Sequence, residues 1–192
     1  MLQSVRLRTR LFLGVMLLGL SACASTSTQA ESESSDNLDG FVKKQKTKII
    51  QESVYYQAEF NFWTGIYEPT PDDLDKLQKA WTSHGQSFPE SKSIKDILQE
   101  SSKRSQRVVL VALYSSDFDL ADLNRKELGW GVSPVPTSIK ELSESDLVLR
   151  SLMPVSNPWA RYFLLKYSAE TWVTSPQIII SNRLSKVVLQ KP

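Results

Sequence analysis

The chain has 192 residues, with 23 Lys and Arg against 21 Asp and Glu, and a single cysteine. Three of the arginines and none of the acidic residues lie in residues 1–22, so the remainder carries 20 basic against 21 acidic residues. Such a near-neutral chain lacks the basic excess of most nucleic-acid-binding domains, which excludes nucleic acid as the first partner to consider.

The first residues have the pattern of an export signal. Three arginines precede the apolar run Leu11–Leu20, which is shorter than the about 20 apolar residues that cross a bilayer. A basic start, a short apolar run and small residues at its end predict a signal peptide over residues 1–22. The last part of this pattern resembles the lipobox of bacterial lipoproteins, and it consists of Leu20, Ser21, Ala22 and Cys23.

The resemblance implies that Cys23 is acylated and becomes the first residue of the mature protein. A lipidated Cys23 leaves no cysteine for a disulfide, a thiolate nucleophile or a zinc site. Ala24 follows it, whereas in lipoproteins of the enteric type an aspartate at that position favours the inner membrane. The resemblance therefore implies an outer-membrane lipid anchor, with the protein on either face of that membrane. The alternative is a buried free thiol inside a signal peptide or a membrane anchor.

Residues 23–40 are predicted to be the lipidated cysteine and a flexible tether, because Ser, Thr, Asp and Glu dominate and Leu38 is the only large apolar residue. One domain is then predicted over residues 41–192.

The first residues of this domain are rich in lysine. These lysines either contact anionic lipid headgroups or form a solvated edge, and they are Lys43, Lys44, Lys46 and Lys48.

The domain begins with a clear strand pattern. Ser53–Trp63 alternates apolar and polar residues, which predicts one half-buried strand. Thr70 and Pro71 then have the pattern of a helix start, with an N-cap followed by proline at the first position. A second helix is predicted over Ser93–Ser102. The two helices form an insertion of about residues 70–103 after the first strand.

The rest of the domain is predicted to be rich in strands. Val108–Tyr114 is apolar on both faces, as expected of a central strand. Leu147–Leu152 is expected to pair at a sheet edge. Further strands are predicted at Trp130–Val132, Arg161–Tyr167, Gln177–Ser181 and Ser185–Gln190. The predicted fold is therefore mainly β (α+β), an antiparallel β-sandwich-like domain with a helical insertion.

The sequence offers little catalytic machinery. His84 is the only histidine, and it lies in Ser83-His84-Gly85 at the predicted end of the first helix of the insertion. A Ser-His-Asp triad needs a histidine oriented by a carboxylate, whereas a histidine in the last turn of a helix usually interacts with the helix dipole. Zinc sites of His and Cys lack ligands, and no glycine-rich phosphate loop is present. No cofactor is predicted.

Two weaker patterns point to binding. Asp117, Asp119 and Asp122 are closely spaced oxygen donors of the kind that calcium prefers, although they are also typical of a solvated helical turn. Of the five tryptophans, Trp130 and Trp172 are the candidates for an exposed surface that stacks against a glycan. The alternative for both is packing in the core or at its rim.

The chain from Val108 onward resembles a group of uncharacterised envelope lipoproteins of Gram-negative bacteria. The shared features are the buried strand with an Asp-rich loop after it, then Trp130–Val132, then Asn157–Trp159 leading into the aromatic strand Arg161–Leu164, and a closing hairpin. The resemblance implies a lipoprotein of unknown role, and it transfers no catalytic residue.

Together these patterns predict a non-enzymatic binding or envelope-assembly module. It would be attached to the outer membrane through its N-terminal lipid and would have a partner among the envelope proteins. One alternative is a glycan hydrolase with two carboxyl groups about 5–10 Å apart in a cleft. The other is a calcium-dependent adhesion module that uses the loop from Asp117 to Asp122.

Overall fold

The structure is a computed structural model that describes residues 37–83, 85–103 and 105–191. The predicted signal peptide, Cys23, most of the predicted tether and His84 lie outside the described residues. All described residues belong to one compact unit, Glu33–Pro192. Across the described part of the chain, we find no helix with the length and hydrophobicity needed to cross a membrane.

Five helices and eight strands form within the described residues. The helices are α1 (Leu38–Lys46), α2 (Pro71–Thr82), α3 (Lys92–Ser101), α4 (Leu147–Leu152) and α5 (Ala169–Thr174). The strands are β1 (Ile50–Tyr56), β2 (Glu59–Tyr67), β3 (Gln106–Ser115), β4 (Gly131–Ser133), β5 (Ser138–Leu142), β6 (Arg161–Ser168), β7 (Gln177–Ser181) and β8 (Lys186–Gln190).

The strands form two antiparallel sheets. The larger sheet has the order β1-β2-β3-β6-β5, and the smaller sheet has the order β4-β7-β8. Helices α1 to α4 cover one face of the larger sheet and enclose the first core. The smaller sheet and α5 cover the other face and enclose the second core. The prediction of a mainly β, α+β domain with antiparallel, sandwich-like sheets is confirmed.

Strand β3 lies at the centre of the larger sheet and is buried on both faces. Leu110 and Ala112 pack against the helices, whereas Val109, Val111 and Leu113 pack against the smaller sheet. Burying each of these larger side chains contributes about 1.5–3 kcal/mol. The prediction of a central strand from its continuous apolar run is therefore confirmed.

The predicted strand Ser53–Trp63 is instead a hairpin of β1 and β2. The chain reverses at Gln57 and Ala58, whose φ angles are 50° and 67°. Positive φ at both central residues is typical of a tight type I′ hairpin turn, which usually contains Asn and Gly. Because neither residue is present, and because the apolar alternation continues across the turn, the sequence pattern does not reveal the reversal.

Leu147–Leu152 forms α4, so its prediction as an edge strand is wrong. Asp146 caps the helix by accepting hydrogen bonds from the backbone N–H groups of Val148 and Leu149, at 3.1 Å each. Val148, Leu149 and Leu152 are buried together, which follows from helical spacing. An edge of the larger sheet is formed instead by β5, a segment for which no strand is predicted above.

The predicted helical insertion is confirmed as α2 and α3, which lie between the first hairpin and β3. Thr70 caps α2 in a reciprocal arrangement with Asp73, and Pro71 is the first helical residue. Helix α1 begins at Leu38, inside the predicted tether, and buries Phe41 in the first core. The polar residues before Phe41 therefore include the first turn of a helix.

Candidate binding site

A β-bulge in the first hairpin positions the aromatic residues of the candidate site. The register of β1 on β2 shifts after Val54, which leaves Asn61 as an extra residue in β2. Side chains alternate between the two faces of a strand, and an extra residue reverses that alternation. Phe60 therefore lies on the same face as Trp63, whereas Phe62 packs into the second core.

Phe60 and Trp63 belong to one wall of a surface groove at one end of the helix-bearing face of the larger sheet. The groove has a volume of about 480 Å³. Residues of β1, β2 and β3 form one wall, and the loop between α4 and β6 forms the other. We call it the aromatic groove, and its lining residues are Ser53, Phe60, Trp63, Tyr114, Ser156, Asn157, Pro158 and Trp159.

Two aromatic rings of the groove contact each other, and one indole is exposed. The ring centres of Phe60 and Tyr114 are 5.8 Å apart, and Tyr55 packs edge-on against Phe60 at 6.0 Å. Trp159 stands at the rim with 69% of its surface exposed. An exposed tryptophan beside a concave aromatic surface is a common feature of ligand-binding sites.

The loop that carries Trp159 is held in place by hydrogen bonds. The backbone N–H of Trp159 donates to Asn157 Oδ1 at 2.9 Å, and Arg150 Nη2 of α4 donates to the carbonyl of Pro158 at 2.8 Å. The next residue, Ala160, is fully buried. The backbone beneath the exposed indole is therefore anchored on both sides, which limits the conformational cost of ligand binding.

Charge is absent from the lining of the aromatic groove. None of the eight lining residues is Asp, Glu, Lys, Arg or His. Ser53, Ser156 and Asn157 supply hydroxyl and amide groups instead. The groove can therefore provide ring faces, apolar contacts and neutral hydrogen bonds, but its lining contains no carboxylate to act as a general acid or base.

Trp130, the first predicted surface residue, packs at the edge of the second core. Its ring lies edge-on to Phe62 with 5.0 Å between ring centres, and its Nε1–H donates to the carbonyl of Leu120. Part of the indole also lines a second groove of about 540 Å³, together with Val132 and Ile139. Trp130 is thus half-buried, and its indole N–H is already used within the protein.

Trp172, the second predicted surface residue, is buried. It lies in the second core with 9% of its surface exposed, and its ring centre is 5.5 Å from that of Tyr167. Lys191 Nζ lies 4.1 Å from the centre of the indole ring. Packing, the alternative for Trp172, is what the structure has, and the exposed indole is that of Trp159. Its sequence signal was the loop-forming pair Asn157-Pro158 directly before it.

The three aspartates proposed for calcium do not converge. Asp117 Oδ1 accepts the backbone N–H of Asp119 at 3.0 Å, which caps a short 3₁₀ turn at Phe118–Leu120. Asp122 accepts the N–H of Asn124 and lies 3.3 Å from Arg161. Within the described residues, no group of three or more His, Cys, Asp or Glu side chains is placed to hold a metal ion.

The lysines near the start of the domain divide into two groups. Lys48, which follows the end of α1, forms an ion pair with Asp73 of α2, whose surface is 2% exposed. Burial alone would raise the pKa of Asp73, but hydrogen bonds from Lys48 and Thr70 hold that pKa well below its usual value. The other three lysines lie on the exposed side of α1, and they are Lys43, Lys44 and Lys46.

Comparison of the chain with protein-family models, with curated proteins and with solved structures found no match. The resemblance to envelope lipoproteins therefore depends on the residues quoted for it above, and it stays a prediction.

Proposed function

We propose that this protein is a lipid-anchored lipoprotein of the bacterial outer membrane and that it acts as a non-enzymatic binding module. The aromatic groove is its binding surface. One observation carries this proposal, namely that Trp159 is exposed at the rim of a concave surface lined by three further aromatic rings. Exposing an indole to water without a ligand is unfavourable, and contiguous exposed aromatic surface is typical of interaction sites.

The chemistry of the lining favours binding over catalysis. A glycan hydrolase that uses two carboxyl groups needs both in one cleft, and the lining of the aromatic groove contains no Asp or Glu. A calcium-dependent adhesion module needs several oxygen ligands around one ion, and Asp122 is instead paired with Arg161. Neither the lining of the aromatic groove nor the loop around Asp122 thus supplies the groups that these alternatives need.

In this proposal, the lipid anchor determines where the protein is located. Cys23 would carry the lipid, and 14 residues separate it from the start of α1 at Leu38. A chain of that length reaches at most about 50 Å when fully extended. The start of α1 would then lie within that distance of the membrane surface.

The experiment that tests the proposal places a photoreactive amino acid at position 156, in the wall of the groove, in the full-length protein produced in its own envelope. Illumination is expected to give a discrete adduct that is lost when Trp159→Ala is added. The matched control carries the same amino acid at position 173, because Val173 is 82% exposed and lies outside the groove. Equal adducts from both positions, or none from position 156, would contradict the proposal.

A further inference from the structure

We infer that the ligand of the aromatic groove is an uncharged saccharide and that one sugar ring stacks on the indole of Trp159. This inference rests on the proposed function and names the class of ligand for that same groove. Three properties of the described residues carry it, namely the exposed ring face, the uncharged polar groups of the lining and the size of the groove.

The first property is the exposed ring face. An aromatic ring has a negative face and a positive edge. One side of a pyranose ring presents several C–H groups with a small positive charge, and these fit the face of an indole. Trp159 is the ring best placed for this contact, because 69% of its surface is exposed while the backbone beneath it is held by Asn157 and Arg150.

The second property is the set of neutral hydrogen-bonding groups. The hydroxyls of Ser53 and Ser156 are on exposed residues. Asn157 uses Oδ1 for the backbone N–H of Trp159, so its Nδ2 is the group that it can present to a ligand. Hydroxyl and amide groups beside an aromatic face match the alternation of C–H and O–H groups around a sugar. An anionic ligand, in contrast, would call for Lys or Arg, and the lining has neither.

The third property is the size of the groove. Its volume of about 480 Å³ lies in the range of about 300–1,000 Å³ typical of small-molecule sites. A stable protein partner would instead bury about 800 Å² on each side. The dimensions therefore suit one or two sugar rings better than a folded protein.

The test is calorimetric titration of the full-length protein in detergent micelles with chitotetraose, an uncharged oligosaccharide. Trp159→Ala is expected to weaken binding by about tenfold or more, whereas Trp159→Phe, which keeps a ring face, is expected to weaken it by less. Val173→Ala is the exposed control and should leave the affinity unchanged. Raising the salt concentration should have little effect, because the lining of the groove carries no charge.

Three outcomes would overturn the inference. If chitotetraose, maltotetraose and cellotetraose all fail to bind, or if Trp159→Ala binds as tightly as the unaltered protein, the saccharide assignment is wrong. Binding of a proline-rich peptide in place of a saccharide would contradict it as well. In these cases a groove-specific photo-adduct from position 156 would still support the proposed function. Loss of both saccharide binding and the adduct would remove both proposals.

Discussion

At the scale of single residues, the buried Asp73 carboxylate is the main polar connection in the helical layer. Oδ1 accepts hydrogen bonds from Lys48 and, at 3.3 Å, from Gln45 Nε2, while Oδ2 accepts from Thr70 Oγ1 at 2.7 Å. Removing the carboxylate would leave these donors without their partner, and an unsatisfied buried polar group costs about 1–3 kcal/mol. The connection between α1 and α2 therefore depends on one ionised side chain.

We expect Asp73→Asn to lower the free energy of unfolding by about 2 kcal/mol at neutral pH, measured by urea denaturation. The matched control is Asp72→Asn, one residue earlier on the same helix. Asp72 pairs with Lys76 on the exposed surface, and its loss should cost at most about 0.5 kcal/mol. Equal effects of the two substitutions would contradict the assigned role of Asp73.

The same carboxylate predicts how stability changes with pH. Because the pKa of Asp73 is lowered in the folded protein, its contribution is fully present above the pKa of about 3.9 of an unfolded Asp. That contribution is lost as the pH falls from there toward the lower folded-state pKa. The difference in stability between the unaltered protein and Asp73→Asn should therefore shrink below about pH 4. A difference that stays constant down to pH 2 would contradict this linkage.

At the scale of secondary-structure elements, the hairpin of β1 and β2 contains an unusual turn. Gln57 and Ala58 both have positive φ, a conformation that costs residues with a Cβ about 1–2 kcal/mol. The turn nevertheless orders Tyr55 and Phe60, which pack against each other at the end of the hairpin. The favourable pairing of two long strands offsets the strain of the turn.

We expect Ala58→Gly to raise the free energy of unfolding by about 1 kcal/mol, because glycine adopts positive φ without a steric penalty. Thermal or urea denaturation measures the change. The control is Ala169→Gly, at the first residue of α5, where the backbone is helical and glycine should therefore give no such stabilisation. Destabilisation by both substitutions would show that the turn is not strained.

The strands and helices also show which features a single sequence can predict. Val108–Tyr114 and α2 were predicted correctly, because a continuous apolar run and a Thr-Pro helix start depend on local chemistry. The register shift at Asn61 was not predictable, since a bulge is defined by the partner strand. The sequence did not predict the helix at Leu147–Leu152, because which of its side chains are buried depends on packing against the other helices.

The same distinction explains what was missed at the candidate site. A tryptophan is apolar in any sequence pattern, so its exposure depends on the surrounding elements. Trp172, a candidate for either exposure or packing, is buried against Tyr167, whereas Trp159, which no sequence pattern singles out, is exposed. The aromatic groove brings residues of the first hairpin together with a loop about 100 residues later in the chain, and local patterns carry no information about that contact.

At the scale of the whole molecule, the larger sheet separates two cores and carries the aromatic groove at one end of its helix-bearing face. Sites built on strands are held more rigidly than sites built on loops alone. Three of the four aromatic residues that line the groove come from β2 and β3. The fold therefore offers a pre-formed surface, and only the loop with Trp159 lies outside the regular elements.

The proposed anchor gives a prediction for the whole chain. Cys23→Ala is expected to remove the lipid and to release the protein from the membrane fraction, with no change in unfolding temperature, because the described core begins after that residue. Cell fractionation and thermal denaturation measure the two effects, and Cys23→Ser is a second variant that should behave alike. A Cys23→Ala protein that is processed normally and still sediments with membranes would contradict the anchor.

The most direct test of the account is a nuclear magnetic resonance titration that follows the indole N–H signals of the tryptophans in the full-length protein in detergent micelles. The signal lost in Trp159→Phe identifies Trp159. On addition of chitotetraose, that signal should shift, while the signal of the buried Trp172 should stay in place. A shift of Trp172 or Trp130 with Trp159 unchanged, or no shift with chitotetraose, maltotetraose or cellotetraose, would contradict saccharide binding in the aromatic groove.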